Sequence, residues 1–368
     1  MHILQCYKTA LPLSMGGVEQ VMHHISSGLV AQGHQATILA FAPQAQVQEI
    51  AYHGYKIIVV PASKEIASMP ISLAGFKHFK SLSKIADVVH YHYPFPWMDL
   101  MHLVHPHSKP CLMTYHADIV KQKNLLKLYR PLQHYFLNRM TAIVATSPHY
   151  MESSMVLQKN LHKVTCIPLG LDEQHYRVTG PLQLQVWKQK LPERFLAFVG
   201  VFRYYKGLQY LFEALAGLDC PLVLIGGGPE HEQLLALQAK YQLKNVIFLG
   251  KLDDENKNMV LSLSSGVILP SHLRSEAFGL SLLEGAMFAK PLISCEISTG
   301  TSYINQDGLT GWVVKPKDIR SLRNALLDWH NSPAKALQFG TNARARFLQL
   351  FQAQAMVDNY IKLYNSII

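Results

Sequence analysis

The sequence predicts an α/β protein of two domains, each a parallel sheet with helices on both faces, the two facing each other across a cleft. Three observations predict it. The chain has 368 residues, more than twice an ordinary domain. Short β-rich runs alternate with helical stretches in two successive series, the pattern of parallel sheets buried on both faces. A polar stretch with Gly and Pro, "PLGLDEQHYRVTGPLQLQ" at 168–185, separates the two series.

The first series opens with "HILQCY", the loop "LPLSMGG", a helical stretch from Val18 to about Gln32 stopped by Gly33, and "ATILAFA". Further short runs follow: "KIIVVP", "DVVHYHY", "PCLMTYH" and "AIVATS". The second series runs through "FLAFVGV", "PLVLIGG", "NVIFLG", "GVILP" and "PLISC". From about Asp318 onward apolar residues recur at three- and four-residue steps, which predicts helices. The expected limits are 1–175 for the first domain, 176–345 for the second, and a terminal helix over 346–368 returning to the first domain. Ligands of open α/β sheets bind outside the carboxyl ends of the strands, so the loops there are where chemistry is sought.

Composition narrows the partners. Hydrophobic residues make up 49% and charged ones 16%, which excludes a disordered or fibrous chain. The formal charge is +10, and it is uneven: residues 1–190 carry 17 Lys and Arg against 9 Asp and Glu, residues 191–368 carry 17 against 15. The basic first half suits an anionic partner, whether phosphate-bearing ligand, lipid surface or nucleic acid. No nucleic-acid motif accompanies the charge, so nucleic acid is not expected. The five cysteines contain no C-x-x-C and lie in or beside apolar runs, as reduced thiols of a cytosolic protein do. The start "MHILQCY" lacks a signal-peptide pattern, and no apolar run approaches the roughly 18 residues needed to span a bilayer. The expectation is a cytoplasmic protein, peripheral on the inner membrane if it meets a membrane at all.

The segment "SEAFGLSLLEGAMFAKPLIS", 275–294, keeps Glu276 and Glu284 in an otherwise apolar run. Gly279 marks the turn into a helix near Leu280. The N–H groups of Phe278, Gly279 and Leu280 at that start can cradle an anion or a sugar hydroxyl, and a carboxylate there can accept vicinal hydroxyls. A pair of glutamates without context is more often surface or capping, and here the apolar surroundings and the strand–loop–helix setting argue for the binding role.

The segment resembles the acidic motif of retaining glycosyltransferases of family 4, with Gly285 where that family usually has Ala. The resemblance implies the GT-B architecture, two Rossmann-like domains, with Glu284 on the ribose and Glu276 orienting the hexose. "VGVFRYYKGLQYLFEAL", 199–215, is similar to the family's diphosphate-binding segment, with Arg203 and Lys206 as the cationic pair and Val201 where the family usually has Arg. An Arg and a Lys at a leaving diphosphate neutralise charge that develops as the glycosidic bond breaks.

Weaker likenesses extend the set. Gly16 and Gly17 resemble the amino-terminal phosphate-approach loop. In "TYHAD", His116 resembles the histidine near the reacting sugar carbon and Asp118 an acceptor-side residue. Lys251 and Leu252 would meet the base through backbone, and Thr299, Gly300 and Thr301 the phosphates. Gly226 to Gly228 read as a tight strand-to-helix turn, since no G-x-G-x-x-G follows.

The resemblance implies no cofactor or metal. Its substrates would be a nucleotide-sugar donor, GDP-sugar favoured, and a saccharide or lipid-linked acceptor. It is nearest to bacterial O-antigen and surface-polysaccharide mannosyl- or rhamnosyltransferases. A UDP-sugar donor is the alternative, as is a nucleotide-sugar epimerase of the same architecture, which would convert donor without acceptor. A silent binding subunit finds no support in the retained Lys206, His116, Glu276 and Glu284. The histidine-rich stretch 90–107 offers no tetrahedral set with thiolate or carboxylate support, so packing or an acceptor groove is preferred over metal. The basic, apolar stretch 121–140 suits an anionic membrane surface or the outer face of a core helix, with Pro131 expected to kink or restart the helix.

Overall fold

The computed structural model describes residues 1–66, 69–119 and 123–368, and for 66 and 123–127 the backbone alone. Lys121, on which part of the expected membrane surface falls, lies outside the described residues, as do the side chains of Lys123 and Lys127. The chain divides into two compact units, Met1–Gly170 with Ala353–Ile368, and Leu171–Gln352.

In the first unit the strands are β1 (His2–Cys6), β2 (Gln35–Ala42), β3 (Gln48–Tyr52), β4 (Tyr55–Pro61), β5 (Lys64–Ile66), β6 (Met69–Ile71), β7 (Val88–Tyr93), β8 (Cys111–Tyr115), β9 (Ala142–Ala145) and β10 (Val164–Cys166). Among the described residues the main sheet runs β10-β9-β8-β7-β1-β2-β4-β3, parallel except for β3, which returns antiparallel on β4, while β5 and β6 pair separately. The helix Gly17–Ala31 covers one face and begins one residue before the expected Val18. The terminal helix Ala353–Ile367 lies beside it: a side chain at Gly28 would strike Val357, and Gln32 donates to Asp358. A single helix spans Lys123–Arg139 with Pro131 inside, instead of a restart at the proline. Its second half is held by packing, since Phe136 and Leu137 are buried.

In the second unit β11 (Leu196–Val199), β12 (Leu222–Ile225), β13 (Val246–Gly250), β14 (Gly266–Leu269), β15 (Leu292–Cys295) and β16 (Gly311–Val314) form a parallel sheet in the order β13-β12-β11-β14-β15-β16. Chain order reverses between β11 and β14, which opens a crevice at their carboxyl ends. Part of the polar stretch 168–185 is ordered as a 3-10 turn, Glu173–Tyr176, and the helix Pro181–Lys190. The division between units falls at Gly170/Leu171. Leu171 donates to the Phe351 carbonyl and bridges to Gln352, and the helix Pro333–Leu350 belongs with the second unit through its buried Ala336, Phe339, Ala343 and Phe347. The cysteines are free thiols.

Candidate active site

Two loops meet where the second sheet reverses its order. After β11 the chain turns through Tyr204–Lys206 into the helix Leu208–Leu215, and after β14 it runs through Ser271 and Glu276 into the helix Leu280–Met287. Gly207 makes the first turn possible: its φ is +74°, and a Cβ there would lie 2.0 Å from the Pro270 carbonyl oxygen. The tight approach brings Lys206 Nζ to 2.5 Å from Glu276 Oε2, which Ser271 Oγ also contacts at 3.0 Å. Burial opposes the Lys206 charge, but the Glu276 carboxylate outweighs it and holds the pKa above the ordinary lysine value. Arg203 is exposed at the start of the same turn and reaches no ion pair among the described residues.

The neighbouring loops close in on this pair. Gly226 and Gly228 turn the chain tightly after β12, where side chains would strike the carbonyl oxygens of Gly200 and Phe202. Lys251 is exposed and Leu252 half-buried in the loop after β13. Gly279 caps the helix Leu280–Met287 at φ +92°, and the first helical bonds run from Leu282 and Leu283 to its carbonyl. Phe278, Leu280 and Gly279 therefore form the open first turn. The Thr299–Thr301 segment packs onto it: a Cβ on Gly300 would strike Phe278, and Thr301 lies 3.1 Å from the position a Gly279 Cβ would take. The Gly300 N–H is taken by the Ala277 carbonyl at 2.8 Å, while the Thr299 and Thr301 hydroxyls are 3.2 Å apart.

Glu284 has a different setting. It is buried one turn inside its helix and receives Lys257 Nζ at 3.0 Å, and Lys257 also bonds Asp254 at 2.9 Å. Tyr176 is buried beside the same glutamate, and burial first, then the Glu284 charge, push its phenol pKa well up. Burial again opposes the lysine charge, and Glu284 and Asp254 outweigh it, raising the Lys257 pKa. The two motif carboxylates thus each hold their own lysine. Nothing in the sequence motifs singles out Lys257 or Tyr176. For Lys257 a signal existed, because it stands three and four residues before Val260 and Leu261 on the buried face of its helix.

The first unit carries the remaining residues. Gly16 and Gly17 open the helix Gly17–Ala31, and a side chain at Gly16 would collide with the Glu19 carboxylate, which Ser14 also bonds. His116 directly follows β8 and is buried. Asp118 anchors its own loop, with Oδ1 accepting from Tyr115 and Ser154. His90, His92 and His102 are buried in the domain interior. His102, His107 and Cys111 do come within ligand distance of one another, so a cysteine sulfur lies closer than spacing suggests, but burial pushes the Cys111 pKa up to about 12 and keeps it a thiol. His102 Nδ1 and His107 Nε2 both bond the Tyr91 hydroxyl, at 2.8 and 3.1 Å, and the Cys111 thiol borders it, so the phenol holds the centre of the group.

Paired parallel-sheet domains with charged, glycine-shaped loops at the strand reversal are the build of a GT-B glycosyltransferase. Solved structures agree in fold. Sucrose-phosphate synthase from Thermosynechococcus elongatus superposes with a TM-score of 0.83 at 21% identity, covering 99% of this chain and 98% of that one. Anabaena HepE in complex with UDP and glucose gives 0.79 at 17% over the whole of both. The family model "Glycosyltransferase Family 4" matches residues 15–175, and "Glycosyl transferases group 1" matches 182–346. O-antigen chain mannosyltransferase C of Escherichia coli is 43% identical over 100% of this chain and 99% of its own. D-rhamnosyltransferase WbpZ of Pseudomonas aeruginosa is 45% identical over 96% and 93%. The chain belongs to this glycosyltransferase family and is a glycosyltransferase.

Proposed function

We propose that this enzyme transfers mannose or rhamnose from a GDP-sugar to a hydroxyl of a growing, lipid-linked O-antigen glycan, with retention at the anomeric carbon. The observation that carries the reaction class is the Lys206–Glu276 pair at the reversal of the second sheet. The two relatives that are 43% and 45% identical support the sugar and the pathway class. In this reading Lys206 and Arg203 meet the diphosphate, with Thr299, Gly300 and Thr301 beside them. Glu276 orients the hexose, Glu284 holds the ribose, and Phe278, Gly279 and Leu280 supply the helix-start N–H groups. Gly16 and Gly17 approach the phosphates, Lys251 and Leu252 the base, His116 the sugar and Asp118 the acceptor. Same-face attack needs no carboxylate nucleophile: the leaving phosphate oxygen takes the acceptor's proton, the acceptor oxygen bonds the anomeric carbon, and the bond to diphosphate breaks. The reaction needs no metal.

Calorimetric titration with GDP, UDP and ADP under chelator tests the donor. Selective GDP binding is expected, selective UDP binding would overturn the donor, and binding of none would remove the site. We also place the enzyme on the cytoplasmic membrane face. No helix among the described residues is long and apolar enough to cross a membrane, and the basic segment 121–140 supports peripheral contact. Neutralising Lys121, Lys123 and Lys127 should reduce sedimentation with anionic vesicles, and unchanged binding would withdraw the contact.

A further inference from the structure

A chain of buried side chains leads from the helix Gly17–Ala31 through the first sheet to His116. Gln5 in β1 donates from Nε2 to the Met22 carbonyl at 3.2 Å and contacts Ser26 Oγ at 2.6 Å. A carbonyl can only accept, so the amide NH2 faces the helix and the amide oxygen faces the other way. That oxygen lies 2.8 Å from His92 Nε2, which must therefore carry a hydrogen. His92 is buried, with ring neighbours His90, His116 and Tyr7. Burial, followed by His90 and His116, depresses its pKa well below the histidine range, so it is neutral and its Nδ1 holds a lone pair. His92 Nδ1 is 2.9 Å from His116 Nε2, so the hydrogen of that bond belongs to His116. Burial pushes the His116 pKa down to about 3, and a neutral ring with hydrogen on Nε2 has its lone pair on Nδ1. The neighbouring His90 is spent elsewhere, on Tyr364 at 2.7 Å and Thr114 at 2.7 Å.

We propose that Gln5 and His92 are positioning residues that lock His116 in its Nε2–H tautomer, so that Nδ1 engages a saccharide only as an acceptor from one of its hydroxyl groups. The inference rests on the reading of His116 as a sugar-facing residue. It deepens that reading by fixing what His116 recognises: an O–H donor, and not a phosphate oxygen, which offers no hydrogen. A neutral ring also spares a sugar that gains positive character at the anomeric carbon from facing a cation. The lock explains why a glutamine, not a glutamate, stands at position 5. A carboxylate there would draw a second proton onto His92 and reverse the polarity of the bond to His116.

The test is a long-range proton–nitrogen spectrum of the full chain labelled with nitrogen-15 histidine at neutral pH, with His116 assigned from a His116→Asn sample. The expected result is an unprotonated Nδ1 and a protonated Nε2. A protonated Nδ1 in the unmodified enzyme overturns the proposal without any substitution. His92→Gln keeps the polarity, because its amide donates to Gln5 and accepts from His116, and should keep the tautomer. His92→Leu, checked for folding by thermal melt, should give mixed tautomers and lower kcat/KM by about tenfold, the size of one lost orienting hydrogen bond. An unmixed Nε2–H spectrum in folded His92→Leu overturns the relay. Because the spectrum needs no substrate, a correct tautomer in a protein that transfers no sugar would sink the functional reading alone.

Discussion

Lys206 Nζ and Glu276 Oε2 meet at 2.5 Å although 70 positions separate them. The contact exists because β11 and β14 are neighbours in the sheet with the chain reversal between them, so the loops that leave their carboxyl ends converge. Lys206→Ala should lower kcat/KM for transfer by about 100-fold, as loss of a charge-stabilising donor does. The melting temperature should fall too, since Glu276 loses its partner, and Lys206→Ala combined with Glu276→Gln should recover much of that fall without recovering transfer. A single variant that transfers at the unmodified rate would end the phosphate role of Lys206.

Glu284 and Lys257 invite a separation of binding from folding. Glu284→Ala should weaken nucleotide binding by about 1.5–3 kcal/mol, the range for hydrogen bonds to a charged group. Lys257→Met leaves a buried carboxylate without its ammonium and should cost about 3 kcal/mol of stability. Calorimetry and chemical denaturation on both variants decide the point: nucleotide affinity unchanged in Glu284→Ala would leave that glutamate as a purely structural anchor for Lys257.

Gly207 is a backbone requirement of the same site. An alanine there combines a positive φ with a Cβ 2.0 Å from the Pro270 carbonyl oxygen, so one of the two loops must shift. Gly207→Ala should therefore destabilise the fold by more than about 1 kcal/mol and displace Lys206 from Glu276. By contrast, Gly217 has φ +71° but meets nothing within 4 Å, so Gly217→Ala bears only the conformational strain. Equal melting temperatures for the two variants would show that the approach to Pro270 does not matter.

Much of this architecture is legible in the sequence because a parallel strand buried on both faces must be an apolar run. "FLAFV", "PLVLI" and "GVILP" could be little else. The glycine-bounded loops gave Lys206 and Glu276 by likeness, and their pairing is a property of strand order, which the sequence does not spell out. The short strand Gly311–Val314 is not legible in the sequence, since four residues after a turn carry too little pattern. Lys257, Tyr176 and Gln5 escaped for another reason: each is a polar residue whose meaning comes from a partner far along the chain, Glu284 for two of them and His92 for the third.

Asp99 supplies a prediction on pH. Its side chain is 2% exposed and accepts a hydrogen bond from Tyr129, yet burial pushes its pKa from the usual value of 3.8 up to about 8. A folded-state pKa above the unfolded one means that the native state binds the proton more tightly. The associated stability is complete below about pH 4 and is lost progressively as pH rises through about 8. Asp99→Asn keeps a hydrogen-bond acceptor for Tyr129 and removes the titration. The variant should match the unmodified enzyme near pH 4 and exceed it increasingly toward pH 8, by an amount on the order of a few kcal/mol, with the difference level above that. Denaturation midpoints measured from pH 4 to 9 check this, and parallel curves for the two proteins would place Asp99 in the ordinary carboxylate range.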